Sequence, residues 1–465
     1  MENLTRHIAE WSVSRTYDTL PDNVVESLVT FAVDHFGVVV GGSRKASSKI
    51  ITDVSTLWGP QQGSSTIVGD PRTTSAPFAA LINGTAGHAL ELDDDHRTGT
   101  QHPGIAVIPP AFALAEERGG VTGREFIEAI AVGYEIMIRL GEAHLGKSYN
   151  RGFHPTGTCG SIGAAIAAGR ILKLNVDQMV SAIGLGASQS AGLLTFRSNG
   201  AWSKRFHAGH ASMAGIIAAS LAAKDFRGPS ESLLSPEGWL QAFAYNNEFD
   251  VGLLVNDLGQ RWSLVENSIK VHACCRFAGP IVDATLETVM RENVQPGDVE
   301  EAVIRMAAYP LTRALTEPRE RKLNPTSVVD AQFSAPFAVA TSIVRRRAFV
   351  EEYSEEGIRN PDVLAMARKV RWEIDPEAER LWPSRYPCEV EIALKDGRRV
   401  KSRVEWPKGD PENPVSVEEL RAKFVTLASP VLGATGVNAA YERIAALRTL
   451  DDVAAIGPLL RPTEA

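Results

Sequence analysis

Acidic and imidazole side chains that could transfer a proton lie close together in one short segment. Asp93, Asp94 and His96 are followed a few residues later by His102. A carboxylate beside an imidazole can shift both pKa values toward the working pH, which suits removal and return of a proton. The alternatives are a solvated acidic surface, since aspartate is rarely buried, and a metal site, since Asp and His are good ligands. Because no recognised ligand spacing is present, we predict proton transfer and no metal.

Two basic segments could bind an acidic small molecule. The first contains Lys204 and Arg205, and the second contains Lys270, His272 and Arg276. Arginine gives bidentate contacts to a carboxylate, and lysine supplies a compact positive charge. The alternative is a solvated surface, because Lys and Arg are usually exposed. We expect carboxylate recognition by these segments.

A further histidine stands directly before a helix of small residues. The segment 152–170, GFHPTGTCGSIGAAIAAGR, places His154 ahead of Gly, Ala, Ser and Ile, with Thr156 or Thr158 available as the N-cap. Small side chains on all sides allow neighbouring backbones to approach closely, so this helix should lie at the centre of a helical core. Its N-terminus would favour a bound anion, unless the helix serves packing alone.

Composition excludes several classes of function. The chain has 465 residues, a formal net charge of -8 and four cysteines. The negative charge argues against nucleic-acid binding, and four cysteines are too few to stabilise a chain of this size as disulfides, so we expect reduced thiols. Metal-cluster, zinc, nucleotide and nicotinamide motifs are lacking, which predicts a site without a cofactor. Without an apolar run of eighteen residues or a signal-peptide pattern, we expect a cytoplasmic or organelle-matrix protein, with the cytoplasm as our choice and no membrane partner.

The first half of the chain has almost entirely helical periodicity. Apolar residues recur at helical spacing, with Pro and Gly at several boundaries. The predicted helices cover 4–13, 24–40, 48–58, 75–92, 105–117, 123–145, 152–170, 176–190 and 212–224.

The second half changes to a mixed pattern after about residue 262. Strand-like runs occur at 302–307, 370–374, 389–394 and 399–405, with helices at 280–291 and 331–346. Helices return at 416–427 and 437–447. We therefore predict a mainly α protein with a large helical domain (1–266), a smaller inserted α+β domain (267–406) and C-terminal helices that rejoin the first domain (407–465).

The acids, imidazoles and cations together indicate one type of chemistry. Such a set suits proton abstraction next to a carboxylate, followed by loss of a leaving group from the adjacent carbon. Water, carbon dioxide or a returned proton would distinguish the products. Cys274 and Cys275 follow the second basic segment, where a catalytic thiol is the alternative to the small apolar role that we assign to them.

These segments resemble the MmgE/PrpD family, which includes 2-methylcitrate dehydratase, cis-aconitate decarboxylase and iminodisuccinate epimerase. The likeness covers nearly the whole chain. It rests on HALELDDDH with the following His-Pro, GFHPTGTCGSIGAA, WSKRFHAGHAS, IKVHACCRF and VVDAQFSAPFAVA.

The resemblance implies a helical domain joined to a smaller α+β lid, usually as a homodimer, with a cofactor-free site between the domains. The implied catalytic residues are Asp93, His102, His154, Lys204, Lys270 and Tyr309, the last on a looser match. Two residues depart from the family pattern. Asp95 replaces a frequent Thr, and Gly279 replaces a frequent His, which removes a potential acid-base group.

Our expectation is a lyase of small di- or tricarboxylates, most like a 2-methylcitrate dehydratase. We expect His102, oriented by Asp93, to transfer the proton and His154 to position or protonate the leaving hydroxyl, although the two roles could be exchanged. Arg205, His272, Arg276 and Thr158 are the predicted substrate-binding residues. The alternatives are a cis-aconitate-type decarboxylase, an iminodisuccinate-type epimerase and an inactive carboxylate-binding protein.

Overall fold

The protein is mainly α-helical, which confirms the predicted fold class. The structure, a computed structural model, describes residues 3–60, 63–309, 311, 315–382 and 384–462. The helices of these ranges, numbered in chain order, are α1 Leu4–Ser14, α2 Asp22–Ser43, α3 Ala46–Trp58, α4 Ala76–Gly87, α5 Gly104–Arg118, α6 Gly123–Ala143, α7 Lys147–Asn150, α8 Pro155–Ile171, α9 Val176–Ser188, α10 Ser203–Ala222, α11 Trp239–Phe243, α12 Val251–Val255, α13 Gly279–Arg291, α14 Arg319–Leu323, α15 Val328–Gln332, α16 Ala335–Arg345, α17 Pro361–Ala367, α18 Pro376–Leu381 and α19 Val417–Ala445.

The strands form one four-stranded sheet and two short pairs in the described ranges. The strands are β1 Ser65–Thr66, β2 Thr73–Thr74, β3 Asp95–His96, β4 Asn267–Ser268, β5 Val299–Met306, β6 Val370–Ile374, β7 Cys388–Leu394 and β8 Arg399–Val404. The larger sheet has the order β6-β5-β7-β8, in which β5 and β6 are parallel and the other neighbours antiparallel. The β3–β4 pair joins Asp95 to Ser268, and thereby brings the acidic segment next to the second basic segment.

Helices α8 and α10 lie at the centre of the larger core, as the small residues of α8 predict. Nearly every residue of α8 is buried, and it packs against α5, α6, α9 and α10. Gly215 of α10 faces Ala164 of α8 so closely that a β-carbon on Gly215 would overlap this alanine. These contacts fix the start of α8 and the start of α10, which both carry candidate site residues.

A second hydrophobic core lies in the smaller α+β part. Its sheet alternates buried and more exposed residues along β7, so one face packs against α13 and the other side remains polar. Helix α16 packs against α13 and α17 on the same side as the core. This core also includes Leu90, Leu92 and Phe196 of the helical part, so the two parts share a packed boundary.

The C-terminal helix α19 packs along α2 and contributes to the larger core. It has a kink at Gly433, whose φ of 68° interrupts the helix between the two segments that the sequence predicted separately. Helix α2 is long and apolar enough to cross a membrane, but 72% of its most apolar window is buried inside the protein. The domain limits 1–266, 267–406 and 407–465 stay a prediction.

Two predicted helix boundaries near the site were wrong. Helix α4 ends at Gly87 and not at Leu92, so His88 and the residues after it form a loop. Helix α10 begins at Ser203, nine residues before the predicted start, so Lys204 lies in its first turn. The predicted N-caps of α8 were also wrong, because His154 is the N-cap residue and makes no side-chain cap.

The close approach of α8 and α10 gives a test of the core. We expect Gly215→Ala to destabilise the protein by about 1–3 kcal/mol, because overpacking forces a shift of backbone or side chains. In contrast, a β-carbon on the exposed Gly297 meets no atom within 4 Å, so Gly297→Ala is the matched control. Urea unfolding midpoints measure both. Equal midpoints for the two variants would contradict the tight packing.

Candidate active site

One buried carboxylate contacts two imidazoles. Oδ2 of Asp93 lies 2.9 Å from Nδ1 of His88 and 3.0 Å from Nδ1 of His102. Nδ1 of His102 also lies 2.9 Å from the carbonyl oxygen of Asp94. Both atoms next to Nδ1 of His102 are hydrogen-bond acceptors, so Nδ1 carries the hydrogen. Nε2 of the same ring then faces the pocket that is described below.

The carboxylate of Asp93 is held in its ionised form. Burial opposes ionisation, but His88 and His102 outweigh burial and hold the pKa of Asp93 well below its usual value. Burial lowers the pKa of His88 to about 3, so this imidazole is neutral. An anionic Asp93 can therefore orient His102 and stabilise an imidazolium on it.

The next carboxyl, Asp94, is in the opposite state. Burial, followed by the charges of Asp93 and Asp34, raises the pKa of Asp94 to about 8. Its Oδ1 accepts from the backbone N–H of Gly104 at 3.1 Å, and its Oδ2 contacts the Tyr134 hydroxyl at 3.1 Å. The acidic run is therefore buried and fixes the loop after α4, and it is not a solvated surface.

Both lysines of the predicted site are gathered around Glu91. The ammonium of Lys204 lies 2.6 and 2.5 Å from the two carboxylate oxygens of Glu91, and that of Lys270 lies 3.6 Å from Oε2. Burial opposes the charge of Glu91, but the two ammonium groups outweigh burial and lower its pKa to about 2. The cations thus already share an internal carboxylate, which the sequence prediction left out.

Glu91 has an unusual backbone. Its φ is 57°, in the left-handed region that residues other than glycine rarely occupy. Such a conformation costs roughly 1–3 kcal/mol and persists only where the surroundings hold it. Here the ion pairs with Lys204 and Lys270 hold it, and the turn presents Glu91 and Asp93 to different partners.

A second pair of imidazoles forms the opposite part of the site. Nδ1 of His154 lies 3.2 Å from Nδ1 of His207 on α10. Burial, together with the positive charge of Lys204, holds the pKa of His154 well below its usual value, and burial lowers the pKa of His207 to about 4. Both rings are neutral, so one donates to the other, and this suits hydrogen bonding better than acid catalysis.

These groups converge on one pocket between the two parts of the protein. Its volume is about 70 Å³, and its wall comprises Glu91, Asp95, His96, Arg97, Thr100, Gln101, His102, Tyr149, His154, Phe196, Lys204, Cys275, Arg276, Phe277 and Phe333. Asp93 lies behind His102, and Lys270 lies behind Glu91. Thr156 joins two walls, because its hydroxyl accepts from the backbone N–H of His102 at 3.1 Å. Distant segments of the chain therefore meet as predicted.

Arg276 lines the pocket with its donors already engaged. Its guanidinium contacts Asp95, lies 2.7 Å from Asp410 and contacts the hydroxyl of Tyr386. Burial disfavours its charge, but Asp95 and Asp410 outweigh burial and raise its pKa. Asp95, the departure from the family pattern, is thus a structural partner of Arg276.

Several predicted residues lie outside this pocket. Thr158 is fully buried within α8, and Arg205 points into a separate cavity, where its guanidinium donates to Ser47 at 3.0 Å. His272 lies 2.7 Å from Asp283, away from the pocket wall. Tyr309 lies in a neighbouring chamber. The structure therefore gives no support to substrate binding by Thr158, Arg205 or His272.

Within the part of the chain that the structure describes, two groups of side chains have donor atoms near enough to compare with a metal site. They are His88, Asp93 and His102, and His96, Glu142 and Glu266. In the first group, both imidazoles approach one carboxylate oxygen at distances typical of N–H···O contacts. In the second, His96 accepts from the Gly99 N–H at 3.1 Å and donates to the Ser263 carbonyl at 3.0 Å. Hydrogen bonds within the protein account for both ring nitrogens of His96, and the first group is a close imidazole–carboxylate cluster without a recognised ligand spacing, so we assign neither group to a metal.

The sequence analysis missed three members of the site. His88 was overlooked, although it ends an Ala- and Gly-rich helix just before the acidic run. Glu91 lies just before the acidic run, and His207 lies two residues after Arg205; neither was predicted as a site residue. His88 and His207 share one signal, a titratable residue beside a small residue, which marks a close approach of other elements.

Comparison with known proteins gives a consistent result across the chain. The MmgE/PrpD N-terminal domain matches residues 6–252, and the MmgE/PrpD C-terminal domain matches residues 272–448. A cis-aconitate decarboxylase of Aspergillus terreus is 27% identical, with coverage of 98% of this chain and 96% of the relative. The cis-aconitate decarboxylases of Mus musculus and Homo sapiens are each 26% identical, over 95% of this chain and 90% and 91% of the relatives.

The raised pKa of Asp94 predicts a pH-dependent loss of stability. Its folded pKa of about 8 exceeds the unfolded value of about 3.9, so its contribution is fully present below the unfolded pKa and is lost as pH rises through the folded pKa. We expect the unfolding free energy of the wild type, relative to Asp94→Asn, to fall between about pH 4 and pH 8, by at most about 1.4 kcal/mol per pH unit. Urea titrations at each pH measure it.

The matched control is Asp451→Asn, which changes an exposed aspartate. This variant should follow the wild type at every pH. A constant difference between wild type and Asp94→Asn across the range would show that Asp94 is ionised in the folded protein.

Proposed function

The chain belongs to the MmgE/PrpD family, and from this premise we propose that it is a lyase that decarboxylates a small unsaturated carboxylate of the cis-aconitate type. The relatives with this printed name span almost the whole chain. They support the decarboxylase alternative better than dehydration of 2-methylcitrate. The observation that carries the proposal within the site is the Asp93–His102 pair on the wall of the pocket that Lys204 also lines.

Decarboxylation of such a substrate needs one proton and a place for negative charge. The leaving carboxylate is attached to a carbon next to a C=C bond. When its C–C bond breaks, carbon dioxide leaves and the electron pair forms a new C=C bond. The pair of the old double bond then moves to the far carbon, which takes a proton. Cations near the remaining carboxylates stabilise the charge that develops during this shift.

His102 is the proton donor in this proposal. Its Nδ1 contacts the ionised Asp93, and its Nε2 faces the pocket. Asp93 supports the imidazolium form before the transfer and the correct tautomer after it. His154, which is neutral and paired with His207, positions the substrate by a hydrogen bond.

Lys204 is the cation that binds a substrate carboxylate. An ammonium has three N–H donors. Among the described residues, the two oxygens of Glu91 occupy two of the three donors of Lys204. The third donor is available to a substrate in the pocket. Lys270 adds charge from behind Glu91, and Tyr309 stays a candidate in the neighbouring chamber.

The decisive experiment measures products from candidate substrates. Purified protein is incubated with cis-aconitate, 2-methylcitrate, citrate and iminodisuccinate, and carbon dioxide, new alkenes and solvent deuterium in the products are recorded. Carbon dioxide from cis-aconitate supports the proposal. An alkene without carbon dioxide would identify a dehydratase, and deuterium exchange alone an epimerase. Tight carboxylate binding without turnover would indicate a binding protein.

The role of His102 predicts a specific loss of turnover. We expect His102→Gln to lower kcat by about a hundredfold or more, in line with general acid catalysis, while the thermal unfolding temperature stays close to that of the wild type. His210→Gln is the control, because His210 lies on α10 outside the pocket wall. Unchanged kcat in His102→Gln would exclude His102 as the proton donor.

We also propose that the protein is a homodimer, with α10 at the interface. Phe206, Ile217 and Leu221 are 42%, 37% and 39% exposed, and Met213 is partly exposed on the same face of this helix. Their spacing gives a continuous apolar stripe, which is typical of a surface that another molecule covers. A second copy of the chain is the occupant that the family resemblance suggests.

This proposal predicts the effect of one charge on the oligomeric state. Ile217→Asp should convert a dimer into a monomer, because association would bury an unpaired carboxylate. Met290→Asp places the same change on an exposed apolar residue of α13 and should leave the dimer intact. Size-exclusion chromatography with light scattering measures both masses. A monomeric wild type at micromolar concentration would contradict the proposal.

A further inference from the structure

A second and larger cavity lies next to the catalytic pocket. Its volume is about 460 Å³, within the range of about 300–1,000 Å³ that is typical of small-molecule sites, whereas the catalytic pocket alone is far below it. The two share Arg97, Thr100, Tyr149 and Phe277 as lining residues. We call this cavity the outer chamber. The outer chamber is therefore the neighbouring space for a molecule bound at His102 and Lys204.

Aromatic side chains dominate one wall of the outer chamber. The ring centroids of Tyr309 and Trp382 are 5.3 Å apart, with nearly parallel planes, and Phe277 lies 5.6 Å from both Trp382 and Tyr386. Leu145, 46% exposed, lines the same chamber. Such a surface gains free energy when apolar groups cover it.

The cations of the chamber wall are already paired. Arg97 lies 3.1 Å from Glu412 and 3.4 Å from Asp410. Arg261 lies 2.9 Å from Glu266 and 3.4 Å from Glu142. Among the described lining residues, the charged groups therefore compensate one another, and the chamber has no surplus positive charge for a further carboxylate.

The catalytic pocket also has little surplus charge. Lys204 and Lys270 share Glu91, and Arg276 is held by Asp95 and Asp410. Apolar contact with the outer chamber would therefore add binding free energy that these compensated charges do not supply. Both observations favour the same kind of substrate.

We propose that the natural substrate is an unsaturated carboxylate that carries an alkyl or aryl substituent, and that this substituent lies in the outer chamber. The inference rests on the proposed decarboxylase function and names its substrate class. The carboxylates bind at Lys204 and His102, and the substituent packs against Phe277, Trp382 and Leu145. Each methylene that becomes buried strengthens binding by about fourfold.

The test is a series of cis-aconitate homologues with methyl, butyl and hexyl substituents. We expect KM to fall with chain length and kcat to stay nearly constant, so that kcat/KM rises at least about tenfold from cis-aconitate to the hexyl homologue. In Leu145→Asn, kcat/KM should rise less with substituent length, because a polar side chain of similar size replaces an apolar part of the chamber wall. Asparagine tolerates the left-handed backbone of residue 145, whose φ is 54°. Leu234→Asn, an exposed leucine outside both cavities, should keep the wild-type dependence.

A binding measurement separates this inference from the proposed function. Calorimetry compares succinate with hexylsuccinate, which has no C=C bond and cannot react in the same way. Tighter binding of hexylsuccinate without decarboxylation of any homologue would support the chamber and reject the decarboxylase. If cis-aconitate is decarboxylated but kcat/KM does not rise, or falls, as the alkyl substituent lengthens, the proposed substituent is rejected and the decarboxylase function is retained. Weak binding of both acids and no turnover would reject both.

Discussion

The site depends on the burial of an ionised carboxylate, Glu91, between the ammonium groups of Lys204 and Lys270. Transfer of each ion from water to the protein interior costs several kcal/mol, and only close pairing offsets this cost. The three residues come from the loop after α4, the first turn of α10 and the segment after β4. Their attraction therefore ties together elements that are far apart in sequence, and loss of one member would leave the others as uncompensated buried charges.

This arrangement limits what the cations can do for a substrate. A lysine pair without a counterion would bind any small polycarboxylate strongly. With Glu91 present, one positive charge is cancelled before the substrate arrives, and the remaining donor of Lys204 becomes directional. In the proposed decarboxylation, binding then depends on the fit of the whole molecule to the pocket and the outer chamber, and the rate depends on charge that appears only as carbon dioxide leaves.

The sequence predicted the class of the fold and the convergence of the site, but not its internal pairing. Strand β6 has the predicted bounds, because its β-branched and aromatic residues act locally. Helix α4 ends at Gly87, and the left-handed Glu91 follows in the loop; the ion pairs of Glu91 join distant segments, so no local sequence pattern records them. Lys204 and Arg205 are neighbours of like charge, yet they point about 100° apart on α10, toward Glu91 and Ser47. Only the packing of α10 decides which of them reaches the pocket.

The adjacent carboxyls Asp93 and Asp94 show how one loop can serve both the proposed catalysis and folding. Side chains of successive residues in an extended segment point to opposite sides. Asp93 thus meets His88 and His102, while Asp94 meets the N-terminus of α5, Tyr134 of α6 and the amide of Asn267, 2.6 Å away. Two negative charges so close would repel each other in the interior, so one carboxyl is protonated and the other ionised. The imidazoles make Asp93 the ionised one, and the neutral Asp94 can then anchor the loop without adding a second buried charge.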